Sequence, residues 1–258
     1  MTADLRAKAS DSDPLAPASD EFAKLVTAEL LPPPPKPPTL LTQAEQAPEC
    51  PLVSIILSAK NEELHLRGSL DSILAQTFSD WECLIFDDGS TDATARIAAN
   101  YAESDPRFRV FSSEQSMGLA PRLNQLALEA RGSLIARMDA DDLMLPERLA
   151  SQVAFFAGLD PERRDHTVLG GSVVLMSPEG QDLGNRAAPT KAKLSIREFP
   201  PVLHPTVMAS TTWFHTFPYD ESEKFRRAED SELWVRSHHH NVCQFERTGA
   251  ALPNDQHL

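Results

Sequence analysis

A chain of 258 residues with 41% hydrophobic and 24% charged residues can bury a full core, in one large domain or two small ones. Its net charge of −14 argues against nucleic acid or an anionic membrane surface as the main partner, yet is compatible with a divalent cation. Three scattered cysteines, no signal-peptide core and no apolar run of membrane-span length exclude a disulfide scaffold and an integral membrane segment, so the expected location is the cytoplasm.

Residues 1–50 hold nine of the 21 prolines, including the run from Pro32 to Pro38, and read as a disordered tail or linker. The folded region is expected to open at Pro51 and to run to residue 236. Leu52–Leu57 is an apolar run of strand length, followed by Leu66, Leu70, Ile73 and Leu74 at helical spacing. Trp81–Phe86 predicts a second strand, and Ser90 or Thr91 is expected to cap the helix carrying Ile97, Ala98 and Tyr101. Phe108–Phe111 predicts a short third strand. A helix with Leu123, Leu126, Ala127 and Ala130 then leads into a strand from Leu134 that ends in Asp139, Asp141 and Asp142. Strands alternating with helices predict a parallel α/β sheet with right-handed crossovers.

In such sheets ligands bind beyond the carboxyl ends of the strands. Three polar clusters fall there: Ser58–Glu62, Asp87–Asp92 and Asp139–Asp142. Residues two apart share a face of an extended chain, so Asp139 and Asp141 are expected to point at one ligand. Hard oxygen donors of this kind suit Mg²⁺ or Mn²⁺ alongside phosphate oxygens. Alone, such a D-x-D is more often a solvated turn before the helix that begins near Pro146. Three clusters at one sheet edge are what a nucleotide pocket predicts.

These stretches resemble the family-2 inverting glycosyltransferases of GT-A fold. The resemblance lies in Val53–Glu63, Ser72–Phe78, Asp87–Asp92, Gly118–Asn124, Ile135–Asp142, His204–Met208 and Ala228–Trp234, in family order. It implies a nucleotide-sugar donor, usually a uridine or thymidine diphosphate sugar, a Mn²⁺ or Mg²⁺ ion, and a glycan, glycolipid or other hydroxyl acceptor. It also implies work in polysaccharide, glycolipid or cell-envelope glycan synthesis, with peripheral association at the inner face of a membrane. By the same resemblance Ser58, Ala59, Lys60 and Glu62 cradle the nucleoside, although the family usually has proline at position 58 and tyrosine at position 60. Asp88 bonds the base, Arg122 reaches the base or diphosphate, Asp139 lies near the ribose or metal, and Asp141 ligates the metal. Asp230 stands at the position of the base that deprotonates the acceptor, with Glu229 assisting. Without the resemblance, that pair reads first as two acids favouring a helix N-terminus.

Thr167–Met176 predicts one strand kinked at Gly170-Gly171, with a turn at Ser177–Gly180. Residues 185–200 are expected to form an acceptor-side loop, and His204 reads as a pocket residue or a structural histidine. Residues 237–258 read as an irregular polar tail, either naturally short or truncated, because the resemblance implies further helices after Trp234; His238–His240 lacks the spacing of a structural zinc site. The competing reading is a catalytically weak nucleotide-sugar-binding protein. A carboxylate-pair glycoside hydrolase leaves the Asp87-Asp88-Gly89 turn unexplained, and a nucleotidyltransferase needs glycines that Ser58–Glu63 lacks.

Overall fold

The computed structural model describes residues 50–177, 182–186, 202–239 and 244–247. The Pro-rich tail, the Ser177–Gly180 turn beyond Ser177, the loop from residue 187 to 200, and Cys243 lie outside the described residues.

A seven-stranded sheet has the order β3-β2-β1-β4-β8-β5-β9. Its strands are β1 (Val53–Ala59), β2 (Trp81–Asp88), β3 (Phe108–Ser113), β4 (Leu134–Asp139), β5 (Thr167–Gly170), β8 (Met208–Ser210) and β9 (Gln244–Arg247). β1 to β4 are mutually parallel, whereas β8 runs antiparallel to both β4 and β5. β6 (Val173–Met176) and β7 (Asp182–Arg186) form a separate antiparallel hairpin. Every residue of β2 is buried, and so is all of β1 except the partly exposed Ser58, because helices cover both faces of the sheet.

On one face pack α1 (Leu66–Leu74), α2 (Thr94–Ser104) and α4 (Arg148–Ala157), burying Leu70, Ile73, Ile97, Leu149 and Phe156 against Ile55, Leu57 and Met138. On the other lie α3 (Leu119–Glu129), α6 (Thr211–Thr216) and α7 (Glu229–His239), where Leu123, Leu126, Trp213 and Trp234 meet Ile56, Leu84 and Ile135. A five-residue α5 (Pro161–Asp165) precedes β5. Each fully buried Leu or Ile contributes about 1.5–3 kcal/mol, so the two apolar faces carry the fold.

Three expectations are corrected. Ser90 and Thr91 do not cap α2: Ser90 Oγ accepts from the Asn61 N–H, and Thr91 N–H donates to Asn61 Oδ1. The helix starts later, with the Thr94 N–H held by Asp92 Oδ1. The stretch Thr167–Met176 is two strands in two sheets, not one. At the break, Gly171 N–H donates to Thr206 Oγ1, and a side chain at Gly170 would come within 2.7 Å of Val202. The expected irregular tail from residue 237 is structured at its start: α7 continues to His239, and β9 adds to the sheet edge in parallel with β5.

β1 leads through α1 to β2 and on to β3 on one side, whereas β4 lies on the other side of β1. The strand order therefore reverses between β1 and β4, and a crevice opens at their carboxyl ends. In the parallel register Ser58 is level with Asp139, and Ala59 with Asp87.

Candidate active site

The loops after β1 and β2 are stitched together by their own polar groups. Glu62 N–H donates to Thr94 Oγ1 at 2.7 Å, Glu63 N–H to Asp92 Oδ2, and Ala93 N–H to Glu63 Oε2. Asn61, at φ 56°, makes the bend that brings them together. This leaves Lys60 exposed at the crevice, where its ammonium donates to Ser116 Oγ at 2.9 Å. Ser58 is partly exposed and Ala59 buried, while Glu62 pairs with His65 at the start of α1. The four residues predicted to cradle a nucleoside thus lie together at one strand end.

Asp88 and Arg122, given separate roles by the resemblance, bond directly to each other. Asp88 Oδ1 accepts from Arg122 Nε at 2.6 Å and from the Met117 N–H; its Oδ2 accepts from Ser116 Oγ and the Gly118 N–H. A carboxylate offers about four lone-pair sites, so the chain itself fills them all. Burial alone would raise the Asp88 carboxyl, but the bonds from Ser116, Met117, Arg122 and Gly118 outweigh it and hold the group below its ordinary value. Arg122 is equally committed. Its other nitrogens donate to Gln125 Oε1 and to the Gln115 carbonyl, and the guanidinium lies 4.2 Å from the centre of the Phe86 ring. Neighbouring Asp87, which had no predicted role, is buried with Oδ1 unpartnered among the described residues.

The extended chain stops at Asp139. A 3.4 Å contact from the Asp142 N–H to the Asp139 carbonyl marks a turn, so Asp141 and Asp142 stand on an exposed bend rather than on the face of a strand. The three carboxylates still share one neighbourhood. Crowding of the protein around it, and then the charges of Asp139 and Asp141, push the Asp142 carboxyl up to about 6. Among the described residues, no three His, Cys, Asp or Glu side chains already surround a common point.

A residue without a predicted role is buried beside Asp139. Arg137 is 2% exposed, and its Nη2 pairs with Asp139. Its signal was in the sequence, as the one ionisable residue inside the strand that precedes Asp139. Its charge reaches His204, Tyr219, Asp142 and Asp230. His204 Nε2 lies 2.7 Å from the Tyr219 hydroxyl, and burial together with Arg137 pushes its imidazole well below the usual range, so it is neutral. Its ring also packs edge-on to Trp234 at 6.0 Å, so the half-buried His204 is held by packing as well as by its hydrogen bond.

Glu229 and Asp230 open α7, with Asp230 Oδ1 accepting from the Ser231 N–H. Burial raises the Asp230 carboxyl, while the Ser231 bonds and Arg137 pull the other way and do not cancel it. Burial raises the Tyr219 hydroxyl; Arg137 opposes that rise, and Asp230, Glu229 and Asp139 add to it. Between the N-terminal turn of α3 and residues 220–229 lies a cleft of about 190 Å³, lined by Gly118, Pro121, Glu221, Arg227 and Glu229.

Residues 54–162 match the family model described as Glycosyl transferase family 2. Over 194 residues the chain is 30% identical to the O-antigen biosynthesis glycosyltransferase WbnJ of Escherichia coli, covering 72% of this chain and 71% of WbnJ. The chain belongs to glycosyltransferase family 2. It is also 36% identical over 189 residues to EpsE of Bacillus subtilis (strain 168), named as a glycosyltransferase, covering 72% of this chain and 66% of EpsE. Among solved structures, S. aureus TarS 1–349 in complex with UDP aligns with a TM-score of 0.60 at 22% identity, over 77% of this chain and 58% of that one. The mannosyltransferase PcManGT from Pyrobaculum calidifontis, in complex with GDP-Man and Mn²⁺, aligns with a TM-score of 0.58 at 19% identity, over 77% and 55%. At such identities the likeness establishes the GT-A fold alone. The family-2 chain described here spans just under two thirds of EpsE and under three fifths of TarS 1–349. No helix among its described residues is long and apolar enough to cross a membrane.

Proposed function

We propose that this family-2 chain transfers a sugar from a nucleoside-diphosphate donor to an acceptor hydroxyl with inversion, in the synthesis of a cell-envelope polysaccharide or glycolipid. The observation that carries this reading is the reversal of strand order between β1 and β4, with Ser58 level with Asp139 at the crevice. The O-antigen role in the name of WbnJ supports the envelope setting, and the UDP bound to TarS supports a uridine donor.

In this reading the nucleoside lies against Ser58, Ala59, Lys60 and Glu62. The base reaches Asp88 by displacing Ser116, the one exposed side chain among its four donors, which leaves the carboxylate's hydrogen-bond count unchanged. Arg122 keeps Asp88 ionised and in place. The donor set at the end of β4 fits Mn²⁺ or Mg²⁺. Asp141 and Asp139 are hard oxygen ligands, Asp142 shows the mutual repulsion a cation would relieve, and the remaining positions are left to phosphate oxygens and water. A cation there would stabilise charge on the departing diphosphate. Asp230, with Glu229 beside it, takes the proton of the attacking hydroxyl, for which its raised pKa makes it a better acceptor than an ordinary surface carboxylate.

Calorimetry with UDP, dTDP and GDP, each with and without Mn²⁺, tests the donor site; one nucleotide is expected to bind only with metal. Sugar transfer or nucleotide release from the matching donor is expected to fall by about 100-fold or more in Asp230→Asn, at unchanged nucleotide affinity. Absence of metal-dependent binding by the folded protein would overturn the donor site. Equal turnover in wild type and Asp230→Asn would remove the base.

A further inference from the structure

Lys60, Ser116 and Asp88 form a hydrogen-bonded chain at the crevice. The Lys60 ammonium donates to Ser116 Oγ at 2.9 Å, and the same hydroxyl donates to Asp88 Oδ2 at 2.6 Å. The three residues come from the turn after β1, the loop after β3 and the end of β2, so the fold and not the local sequence brings them together. Lys60 and Ser116 are exposed, whereas Asp88 is buried. Ser116 is the one donor to Asp88 that a ligand can readily replace. The others are the backbone N–H groups of Met117 and Gly118 and the buried Nε of Arg122, whose remaining nitrogens are held by Gln125 and the Gln115 carbonyl. When Ser116 leaves, a single lone pair of the carboxylate opens.

The Ser116 hydroxyl accepts from a cation and donates to an anion. A group that takes its place must do both, with one atom that accepts from Lys60 and a neighbour that carries a hydrogen for Asp88. An N–H beside a C=O meets that demand. Uracil and thymine present N3–H between two carbonyls, and hypoxanthine and guanine present N1–H beside C6=O. Cytosine and adenine turn a ring-nitrogen lone pair toward the carboxylate, which leaves both groups unpaired and repelling. Guanine adds an amino group beside N1–H, and Asp88 has no second opening to receive it. A diphosphate offers acceptors throughout and has no hydrogen for Asp88.

We propose that Lys60 and Asp88 read the nucleobase of the donor as a pair. They select a ring N–H beside a carbonyl and, through the single opening on Asp88, disfavour a neighbouring amino group. Uracil or thymine is therefore taken over guanine, cytosine and adenine, and Lys60 is a specificity-determining residue. The inference rests on the proposed donor site and adds how that site chooses among bases.

The test is calorimetric binding of UDP, CDP, IDP and GDP to the full chain with Mn²⁺ present. These ligands share ribose, diphosphate and metal and differ only in the base. Wild type is expected to bind UDP about 100-fold or more tightly than CDP, and IDP about tenfold more tightly than GDP. Lys60→Met should weaken UDP by about tenfold or more and CDP by less than about threefold, because only UDP seats its base between the pair. Ser116→Ala, which vacates the place in advance, should bind UDP at least as well as wild type. The proposal is overturned by UDP and CDP binding within about threefold of each other, or by GDP binding as tightly as IDP. Equal losses of UDP and CDP in Lys60→Met also overturn it, since the ammonium would then serve the phosphates. So does a tenfold loss of UDP in Ser116→Ala, which would make the hydroxyl a ligand contact and not a placeholder. If the folded wild type binds none of the four nucleotides with Mn²⁺, the donor-site reading fails and this inference with it; binding without regard to base overturns the inference alone.

Discussion

Asp88 has, beside the base contact proposed for it, a structural duty that its motif does not display. The Asp-Asp-Gly turn after β2 identified it, but four internal donors make it first a strut for the loop from Ser113 to Gly118. Asp88→Asn removes the charge facing Arg122, a pair with side chains 3% and 4% exposed. Breaking one partner of a buried pair costs about 3–5 kcal/mol, so denaturant unfolding at pH 7 should show a loss of about 3 kcal/mol. The pH dependence follows from the lowered pKa. The contribution is complete above the unfolded value of about 4 and is lost as pH falls through the folded value. The difference between wild type and Asp88→Asn should therefore be constant from pH 6 to 8 and shrink progressively below pH 4. A difference independent of pH down to 2 would mean that packing, not charge, is what Asp88 contributes.

At the level of elements, the turns decide how strands deliver their side chains. Gly89 has φ 73°, and a Cβ there would lie 2.9 Å from the Glu114 carbonyl oxygen and 3.3 Å from that of Ser113. Gly89→Ala is expected to lower stability by about 1–3 kcal/mol and, because the clash is with the loop that presents Ser116 to Asp88, to weaken nucleotide binding as well. Thermal unfolding and calorimetry on one preparation check both. The first four strands and the four long helices up to Ala157 were legible because each is a plain apolar run or a clean helical repeat, and the polar clusters after them follow from the winding of the sheet. β8 and β9 were not legible, being three and four residues long and defined by pairing with distant strands. The same limit hid Arg137. Sequence displays an arginine in an apolar strand, but its burial is set by the His204–Thr206 turn and α6, which pack on β4 from about 65 to 80 positions away. Capping at Ser90 or Thr91 failed for a related reason, since local rules cannot see that Asn61, on another loop, competes for those groups.

Taken whole, the molecule carries a net charge of −14 and, in the proposed reading, binds a diphosphate beside three clustered aspartates. Like charges at both scales oppose that encounter, so metal and nucleotide should bind as a set, each weakly alone. A ligand that binds only the folded state stabilises it by about 2.7 kcal/mol at a free concentration 100 times its Kd. In a folded region of this size, that amounts to an upward shift in Tm of about 5–10 °C. Nucleotide with Mn²⁺ should produce a shift of this order, whereas Mn²⁺ alone or nucleotide with EDTA should move Tm by no more than about 1–2 °C. Asp141→Ala should lose the joint shift while keeping the apo Tm, because Asp141 stands on an exposed bend and carries no packing. Asp88→Asn should behave oppositely, with a lower apo Tm. A full shift in the presence of EDTA would show that the phosphates are held by the protein without a cation, and the aspartates at the end of β4 would then need a different role.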